Sequence, residues 1–422
     1  FFKQYNDTYG HIQGDQTLQA VAKVLKTTLQ RPGDYPFRLG GEEFGVIITD
    51  TDCASARTMG EKIRAAVEAL QIEHKGSKVS RTVSISIGGI CVVPTIHMNE
   101  ESIIHAADID SELDTDPIAA GLEAIATGCA LCPRSCGVNR LRGEKGFCRA
   151  GAEAVVSKAL PHSGEEPVLT GTGGSGTIFF AHCPLTCLFC QNYQISQELL
   201  GTPADDDTLA DAMLSLQAQG CHNINLVSAA HFLPMVARAL KKAAAGGLSL
   251  PLVYNSNGYE RPEVLRLLEG IIDIYLPDAK YGDDESAREL SGAQQYTRFN
   301  RAALKEMYRQ VGPLETSEEG IAMRGLIIRH LVLPNGLSRT EAVLRMISEE
   351  LGTDVHLSLM GQYFPAYRAH TCDTINRKLT PEEYRITADL LETYGFEQGW
   401  CQYPEEVEDC FVPDFTKKES WH

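Results

Sequence analysis

Three cysteines in one short stretch, Cys183, Cys187 and Cys190, follow the spacing Cys-x3-Cys-x2-Cys directly after the apolar run Thr177-Ile178-Phe179-Phe180. Three thiolates on one tight loop can hold three irons of a [4Fe–4S] cluster and leave the fourth iron open to an outside ligand. Zinc would want a fourth protein ligand close by, and this loop supplies none; His182 is adjacent, but its direction does not suit the same metal. Upstream, Cys129, Cys132, Cys136 and Cys148 form a second set of four soft ligands, with Arg134, Arg140 and Arg142 among them to offset thiolate charge. Such a set can close around Zn²⁺ or an auxiliary [4Fe–4S] cluster, and cysteine spacing leaves both open. Cys53, Cys91, Cys221, Cys372, Cys401 and Cys410 read as core or incidental thiols.

A different chemistry is written near the start, where Arg38-Leu39-Gly40-Gly41-Glu42-Glu43-Phe44 places two glycines and two carboxylates ahead of a strand. Glycines let a turn approach a phosphate, and adjacent carboxylates can hold Mg²⁺. The plainer alternative is an acidic hairpin tip in solvent. The Gly-rich stretch Gly171-Thr172-Gly173-Gly174-Ser175-Gly176 lacks the Gly-Lys-Ser/Thr ending of a phosphate loop and precedes a strand, so it reads as a tight turn.

These residues must be carried by a chain of 422 residues with 38 basic and 56 acidic side chains, a net charge of −18. Its 43% hydrophobic and 22% charged content is that of a globular protein of two or three domains and excludes collagen-like or wholly disordered chains. The acidic balance argues against broad nucleic-acid binding, and no apolar run approaches the roughly 18–20 residues needed to span a bilayer. The opening Phe1-Phe2-Lys3-Gln4 has no signal-peptide pattern and no initiating Met, so a fragment is one reading. Seven of the 13 cysteines fall between Cys129 and Cys190, which suits ligands in a reducing cytoplasm. The expectation is a cytoplasmic protein with neither membrane nor nucleic-acid partners.

Hydrophobic periodicity predicts helices over 16–29 and 55–70 and strands over 44–48 and 83–93. An acidic run from Asp108 to Asp116, ahead of Pro117, reads as an exposed junction. Beyond it, six candidate strands (176–180, 224–227, 252–254, 271–276, 326–333, 355–359) alternate with helical stretches such as 232–245 and 261–269. That alternation predicts an α/β fold of parallel βα units, as an open sheet or a barrel.

Two resemblances sharpen these readings. The run from Phe1 to Asp15, with residues 40–44, resembles the GGDEF diguanylate cyclase domain. The resemblance implies that Asn6 and Asp15 recognise guanine, that Gly40 and Gly41 face the triphosphate, that Glu42 lies in the catalytic loop and that Glu43 holds Mg²⁺. It also implies that Arg31 and Asp34 form a product-binding inhibitory site for cyclic di-GMP. The family's metal-binding Asp would lie just before Phe1 and is absent. After His105-Ala106-Ala107-Asp108, Ile109-Asp110-Ser111-Glu112 replaces the family's usual continuation. Residues 1–109 therefore read as a GGDEF α/β sandwich truncated at both ends, with little or no expected turnover of GTP.

The cysteine motif, with the aromatic residue before its last Cys, resembles the radical S-adenosylmethionine enzymes. Further stretches extend the likeness: His162-Ser163-Gly164-Glu165-Glu166-Pro167, Gln191-Asn192-Tyr193, Asp273 to Tyr281, Arg329 to Pro334 and Met360-Gly361-Gln362-Tyr363. Together they resemble a group similar to pyruvate formate-lyase activating enzyme, over most of residues 125–403. That implies a partial (β/α)6 barrel whose cluster loop follows the first strand. It also implies S-adenosylmethionine as cofactor, a flavodoxin or ferredoxin as electron donor, and a glycyl-radical protein as a candidate substrate. Polar residues at strand ends would line the site: Ser228, His231, Asn255, Asn257, Asp278, Lys280, Arg329, His330 and Gln362. For each, a loop cap or a structural ion pair is the plainer alternative. The expected layout is a GGDEF domain over 1–109, a junction over 110–124, a Cys-rich segment over 125–160, a barrel over 161–403 and a tail over 404–422. Competing readings are a signalling cyclase with an effector domain, a cyclic di-GMP sensor regulating the radical domain, and a join of two separate coding sequences.

Overall fold

The computed structural model describes residues 2–29, 31, 33–49, 51, 53–75, 81–87, 115–403 and 415. The chain divides into two compact units, Phe1–Leu113 and Asp114–His422.

The first unit holds helices Phe2–Tyr9, His11–Thr28 and Cys53–Glu68 and a hairpin of β1 (Tyr35–Gly40) and β2 (Glu43–Ile47). Leu18, Val21 and Leu25 recur at helical spacing and are buried. The core joins Leu25, Leu29 and Ile63 to Phe44, Val46 and Ile48 of the hairpin. The expected strand over 83–93 is not a strand over 83–87. Only a single antiparallel bridge, Glu73 to Thr82, forms there. Alternating Val and Ile supply half of a strand's requirement, but a ladder partner supplies the other half. Residues 88–93, the acidic run up to Asp114 and the segment His105-Ala106-Ala107-Asp108 lie outside the described residues.

The second unit is built on a ten-stranded sheet. Its strands are β3 (Ala154–His162), β4 (Ser175–Phe180), β5 (Thr202–Ala204), β6 (Ile224–Val227), β7 (Leu252–Ser256), β8 (Ile274–Pro277), β9 (Glu315–Thr316), β10 (Ala322–Leu331), β11 (His356–Met360) and β12 (Gly399–Gln402). Strands β4, β6, β7, β8, β10, β11 and β12 are parallel neighbours in that order. Strands β3 and β5 extend the β4 edge antiparallel, and β9 pairs antiparallel with β10. The six strands expected from sequence are all present in sequence order. The structure adds a seventh parallel strand, β12, whose short Gly-Trp-Cys-Gln run carries little periodicity. It also starts the sheet at Ala154, inside the segment set apart as Cys-rich. The fold is α/β, with an open, mostly parallel sheet.

The central strands are buried along their whole length, as strands covered on both faces must be, and are mostly apolar, with Ser175, Thr177, Asn225, Asn255 and Ser256 as buried polar exceptions. Helices return between them. Asp206–Ala218 begins at an Asp205 cap that accepts from the Thr208 N–H at 2.8 Å, and Pro381–Tyr394 begins with a Thr380–Glu383 capping box. Helix Thr115–Thr127, in the stretch expected to be a junction, packs on helix Leu233–Ala245, and Arg238 bridges Glu123 and Asp206. Residues 262–268 form a short α-helix running into a 3-10 turn rather than one continuous helix. Among the described residues, no helix is long and apolar enough to cross a membrane.

Candidate functional site

Strand β4 delivers the chain to the cysteine loop at its C-terminal end. The loop is held by its own backbone. Thr186 and Leu188 donate N–H groups to the carbonyls of Ser291 (3.0 Å) and Leu290 (2.8 Å), at the end of helix Asp284–Ser291. The carbonyls of Pro184, Leu185 and Leu188 accept from Arg134 Nε (2.9 Å), Gln197 Nε2 (3.0 Å) and the Arg368 N–H (2.9 Å). Gly292 ends that helix at φ +62°, where a Cβ would stand 2.6 Å from Thr186 Oγ1, so only glycine fits against the loop.

Cys183, Cys187 and Cys190 are free thiols. Burial pushes all three up, Cys190 to about 11, and for Cys183 and Cys190 neighbouring thiols push further; the Lys280 ammonium works the other way on each. Each sulfur has a polar neighbour: the Leu185 N–H (3.4 Å) and Asn257 Nδ2 (3.6 Å) at Cys183, Ser291 Oγ (2.9 Å) at Cys187 and Ser196 Oγ (3.2 Å) at Cys190. Soft ligands on one turn, with donors aimed at sulfur, fit an iron–sulfur cluster. A cation would draw off the protons that burial otherwise keeps on the thiols.

The expected strand-end residues divide into two groups. Arg329 donates through Nη2 to Asn255 Oδ1 (2.5 Å), through Nε to Asp278 Oδ1 (3.1 Å) and through Nη1 to Glu165 Oε2 (3.2 Å). Lys280 donates to Asp278 Oδ2 at 2.6 Å, so these two form the ion pair allowed as the plainer alternative. Asn225 and Asn255 both donate to Glu165 Oε1, at 3.1 and 3.3 Å. One buried network thus joins β6, β7, β8 and β10. Burial raises the Glu165 carboxyl, whereas Lys280 and Arg329 outweigh burial at Asp278 and lower it. Asn257 stands beside Cys183 through its amide. Ser228 sits in a left-handed conformation at the end of β6. Gln362 places its carbonyl under Gln191 Nε2 at 3.2 Å.

His330 and His231 belong elsewhere. His330 spans the Ala279 carbonyl and Thr340 Oγ1 (2.8 Å), on the helix side of β10. Adjacent residues of a strand face opposite ways, so Arg329 and His330 could not both enter one interior. His231 is buried with Nε2 on the Ala181 carbonyl at 2.8 Å and packs on Phe232. Both imidazoles are held far toward the neutral form by burial, His231 to about 3 and His330 to about 4.

Glu165, Asn225 and Ser175 are network members that the strand-end rule did not select. Glu165 precedes β4, and the Asn223-Ile224-Asn225 alternation was the available signal for Asn225. The Gly-rich turn is closed by another unselected residue: His222 Nε2 accepts from the N–H groups of Thr172 (3.1 Å) and Gly173 (2.9 Å). Phe415, in the stretch set apart as a tail, is buried against Phe179, Ile195 and Val227.

Cys129, Cys132 and Cys148 are buried and Cys136 is half-buried. They lie within electrostatic reach of one another, since Cys129 and Cys148 reinforce the upward push of burial on Cys132, as Cys129 and Cys136 do on Cys148. The Phe147 N–H donates to Cys136 Sγ at 3.3 Å. Among the described residues, no three Cys, His, Asp or Glu side chains converge on a point as a single metal ion requires. Cysteines of a cubane bind separate irons and need not converge in that way.

In the first unit, Gly40 ends β1, Gly41 and Glu42 form the hairpin turn and Glu43 opens β2, with Arg38 Nε on the Gly41 carbonyl at 2.9 Å. Glu42 and Glu43 are exposed. A cavity of about 520 Å³ is lined by Asp15, Leu18, Lys26, Arg38 and Phe44. Asn6 Oδ1 is buried without a hydrogen-bond partner and rests against Gly14, whose Cβ would stand 1.9 Å away. Arg31 and Asp34 close a turn (Asp34 N–H to the Arg31 carbonyl, 3.1 Å), and both Asp34 carboxylate oxygens are buried without partners.

Residues 1–112 match the family model "Diguanylate cyclase, GGDEF domain". Probable diguanylate cyclase DgcT of Escherichia coli K12 is 39% identical over 107 residues, covering 25% of this chain and 23% of DgcT. The chain thus spans about a quarter of that relative. Among solved structures, that of TYW1 with a lysine–pyruvate adduct bound is similar over 50% of this chain and 70% of its own, with TM-score 0.33 and 15% identity. Uncharacterized protein MJ0674 of Methanocaldococcus jannaschii is 34% identical over 280 residues, covering 64% of this chain and 75% of that protein. On that coverage the chain, with a GGDEF domain at its N-terminal end, belongs to the family of MJ0674.

Proposed function

We propose that the Asp114–His422 unit is a radical S-adenosylmethionine enzyme. One observation carries this reading: Cys183, Cys187 and Cys190 are free thiols on one loop after the first parallel strand, Cys187 buried and the other two half-buried, each sulfur met by an N–H or O–H group. A [4Fe–4S] cluster held there would supply the electron that cleaves S-adenosylmethionine to methionine and a 5′-deoxyadenosyl radical able to take a hydrogen atom from substrate. The chain's residues do the rest. Asn257, Ser291, Ser196 and the Leu185 N–H stabilise thiolate charge, and Lys280 adds a positive field over all three sulfurs. Arg329, Asp278, Asn255, Asn225 and Glu165 hold one another in fixed orientations, a preorganised polar wall for amino, carboxylate or hydroxyl groups. Ser228, Asn257 and Gln362 complete the set of cofactor contacts. Cys129, Cys132, Cys136 and Cys148 hold an auxiliary cluster. A glycyl-radical protein is the proposed substrate, and a flavodoxin or ferredoxin the electron donor.

The test is anaerobic reconstitution of the full chain with iron and sulfide, followed by an assay for 5′-deoxyadenosine from S-adenosylmethionine and dithionite. Product is expected, and Cys187→Ala should lower it by at least about a hundredfold. No product from a fully loaded chain overturns the reading. About eight irons per chain point to two clusters; about four with one zinc make the upstream set structural.

A second reading concerns the first unit. The unpartnered Asn6 Oδ1, the cavity lined by Asp15 and the unpartnered Asp34 carboxylate favour binding of guanine nucleotides, GTP or cyclic di-GMP, with Mg²⁺ at Glu43.

A further inference from the structure

The upstream cysteine segment and the 183–190 loop are far apart in sequence, yet two side chains tie them together, one from each side. Arg134, between Cys132 and Cys136, donates Nε–H to the Pro184 carbonyl at 2.9 Å, between Cys183 and Cys187. In return His182, beside Cys183, meets the Cys148 carbonyl through Nδ1 at 2.9 Å. A carbonyl only accepts, so Nδ1 carries the proton. The guanidinium is itself fixed. Its Cζ lies 3.7 Å from the centroid of the Phe147 ring, next to Cys148, and 5.6 Å from that of Tyr259. Asn257 leads from Tyr259 back to the loop, accepting the Tyr259 N–H at 2.9 Å and presenting its amide to Cys183. Arg134 Nη2 is buried with no hydrogen-bond partner, at the crowded junction of Thr186 and Gly292. Exposed to water an arginine would satisfy all its donors. This one gives some up to stay wedged between the two segments.

We propose that Arg134 is a positioning residue, seconded by His182, and that the 129–148 segment acts through it as a splint for the 183–190 loop. This rests on the reading of Cys183, Cys187 and Cys190 as cluster ligands. The splint acts at Pro184, the one loop residue between the first two cysteines whose carbonyl is held by a side chain from outside the 183–197 stretch. Losing that hydrogen bond frees Cys183 relative to Cys187 while leaving the bonds from Thr186 and Leu188 to helix Asp284–Ser291 in place.

The experiment compares the full chain with Arg134→Met and Arg134→Lys. Methionine keeps most of the bulk over Phe147 but donates nothing; lysine keeps a donor. The first readout needs no cofactor. Metal-free, reduced protein is treated with iodoacetamide, and each cysteine's modification is followed by peptide mass spectrometry. Thiols packed in a closed loop react slowly until the loop opens locally. Cys183 should react about tenfold faster in Arg134→Met, the factor expected for one charge-assisted hydrogen bond, and most of the protection should return in Arg134→Lys. Cys221, buried away from both loops, should be unchanged in both. The second readout is the electron paramagnetic resonance spectrum of the reduced, iron-loaded chain, which should change in Arg134→Met at unchanged iron content. Wild-type alkylation and a wild-type spectrum in Arg134→Met overturn the proposal, as does equal loss in Met and Lys variants. If Cys221 also opens in Arg134→Met, Phe147→Leu decides. It removes the ring under the guanidinium at a position 43% exposed, and protection of Cys183 at the wild-type level then overturns the proposal. Failure of the enzyme reading looks different: the wild-type chain makes no 5′-deoxyadenosine, while the Arg134 dependence of alkylation persists.

Discussion

Arg329 and His330 are neighbours in sequence and opposites in structure. The arginine enters the buried network with Glu165, Asp278 and Asn255, and the histidine is clamped between the Ala279 carbonyl and Thr340. The burial of His330 has a consequence for stability. Its pKa falls from 6.5 to about 4 on folding, so the folded chain keeps it neutral while the unfolded chain protonates it. Its contribution is therefore complete above about pH 6.5 and is lost as pH falls from there toward about 4. The metal-free chain should lose on the order of 2 kcal/mol of stability between pH 7 and pH 5 from this residue. His330→Gln should be less stable at pH 7 yet flatter across that range. Urea unfolding followed by tryptophan fluorescence reads it, because both tryptophans, Trp400 and Trp421, lie in the second unit. Equal slopes for the two proteins would refute this.

At the scale of elements, the ends of parallel strands decide what can be placed near the cysteines. Strand β7 ends in Asn255, Ser256, Asn257 and Gly258. Gly258 turns the chain at φ +72° against β8, where an added Cβ would lie 2.0 Å from the Asp278 carbonyl oxygen and 2.3 Å from Asn300 Nδ2. No L side chain fits without moving one strand end off the other. Gly258→Ala should therefore cost about 3 kcal/mol and carry Asn257 away from Cys183. The same urea titration measures the first effect. A stability within about 0.5 kcal/mol of wild type, the range of an ordinary surface substitution, would show that the turn yields more easily than its geometry implies.

At the scale of the molecule, two compact units each have their own core: Leu25, Leu29 and Ile63 in the first, and the apolar strands with clusters such as Leu169, Val253, Ile274 and Ile327 in the second. A change confined to the guanine-binding features should therefore spare the cysteine chemistry. Gly14→Ala pushes a methyl group onto Asn6 Oδ1 and should weaken GTP binding to the full chain by about tenfold, the worth of one hydrogen bond to a buried polar group. Calorimetric titration with GTP and Mg²⁺ checks this. Iron content and the reduced-cluster spectrum should be those of wild type. A spectrum that moves with Gly14→Ala, or on adding cyclic di-GMP, would support the sensor reading over independent units.

Much of this was legible in the amino-acid order because it is local. Cysteine spacing sets which thiols can share a turn, period-two and period-3.6 burial sets strands and helices, and Gly-Gly-Glu-Glu marks a hairpin tip. The six core strands and the loop after β4 follow from such short-range rules. What only the tertiary structure decided is long-range. Glu165 joins a network with Arg329, Lys280 comes within electrostatic reach of the three thiols, and β12 closes one edge of the parallel run. Arg134 reaches Pro184, and Phe415 packs on Phe179. Each depends on which strand lies beside which and on the side of each strand a residue occupies. Composition and periodicity, being properties of neighbouring residues, do not encode those choices; burial of the second unit's elements around its sheet does.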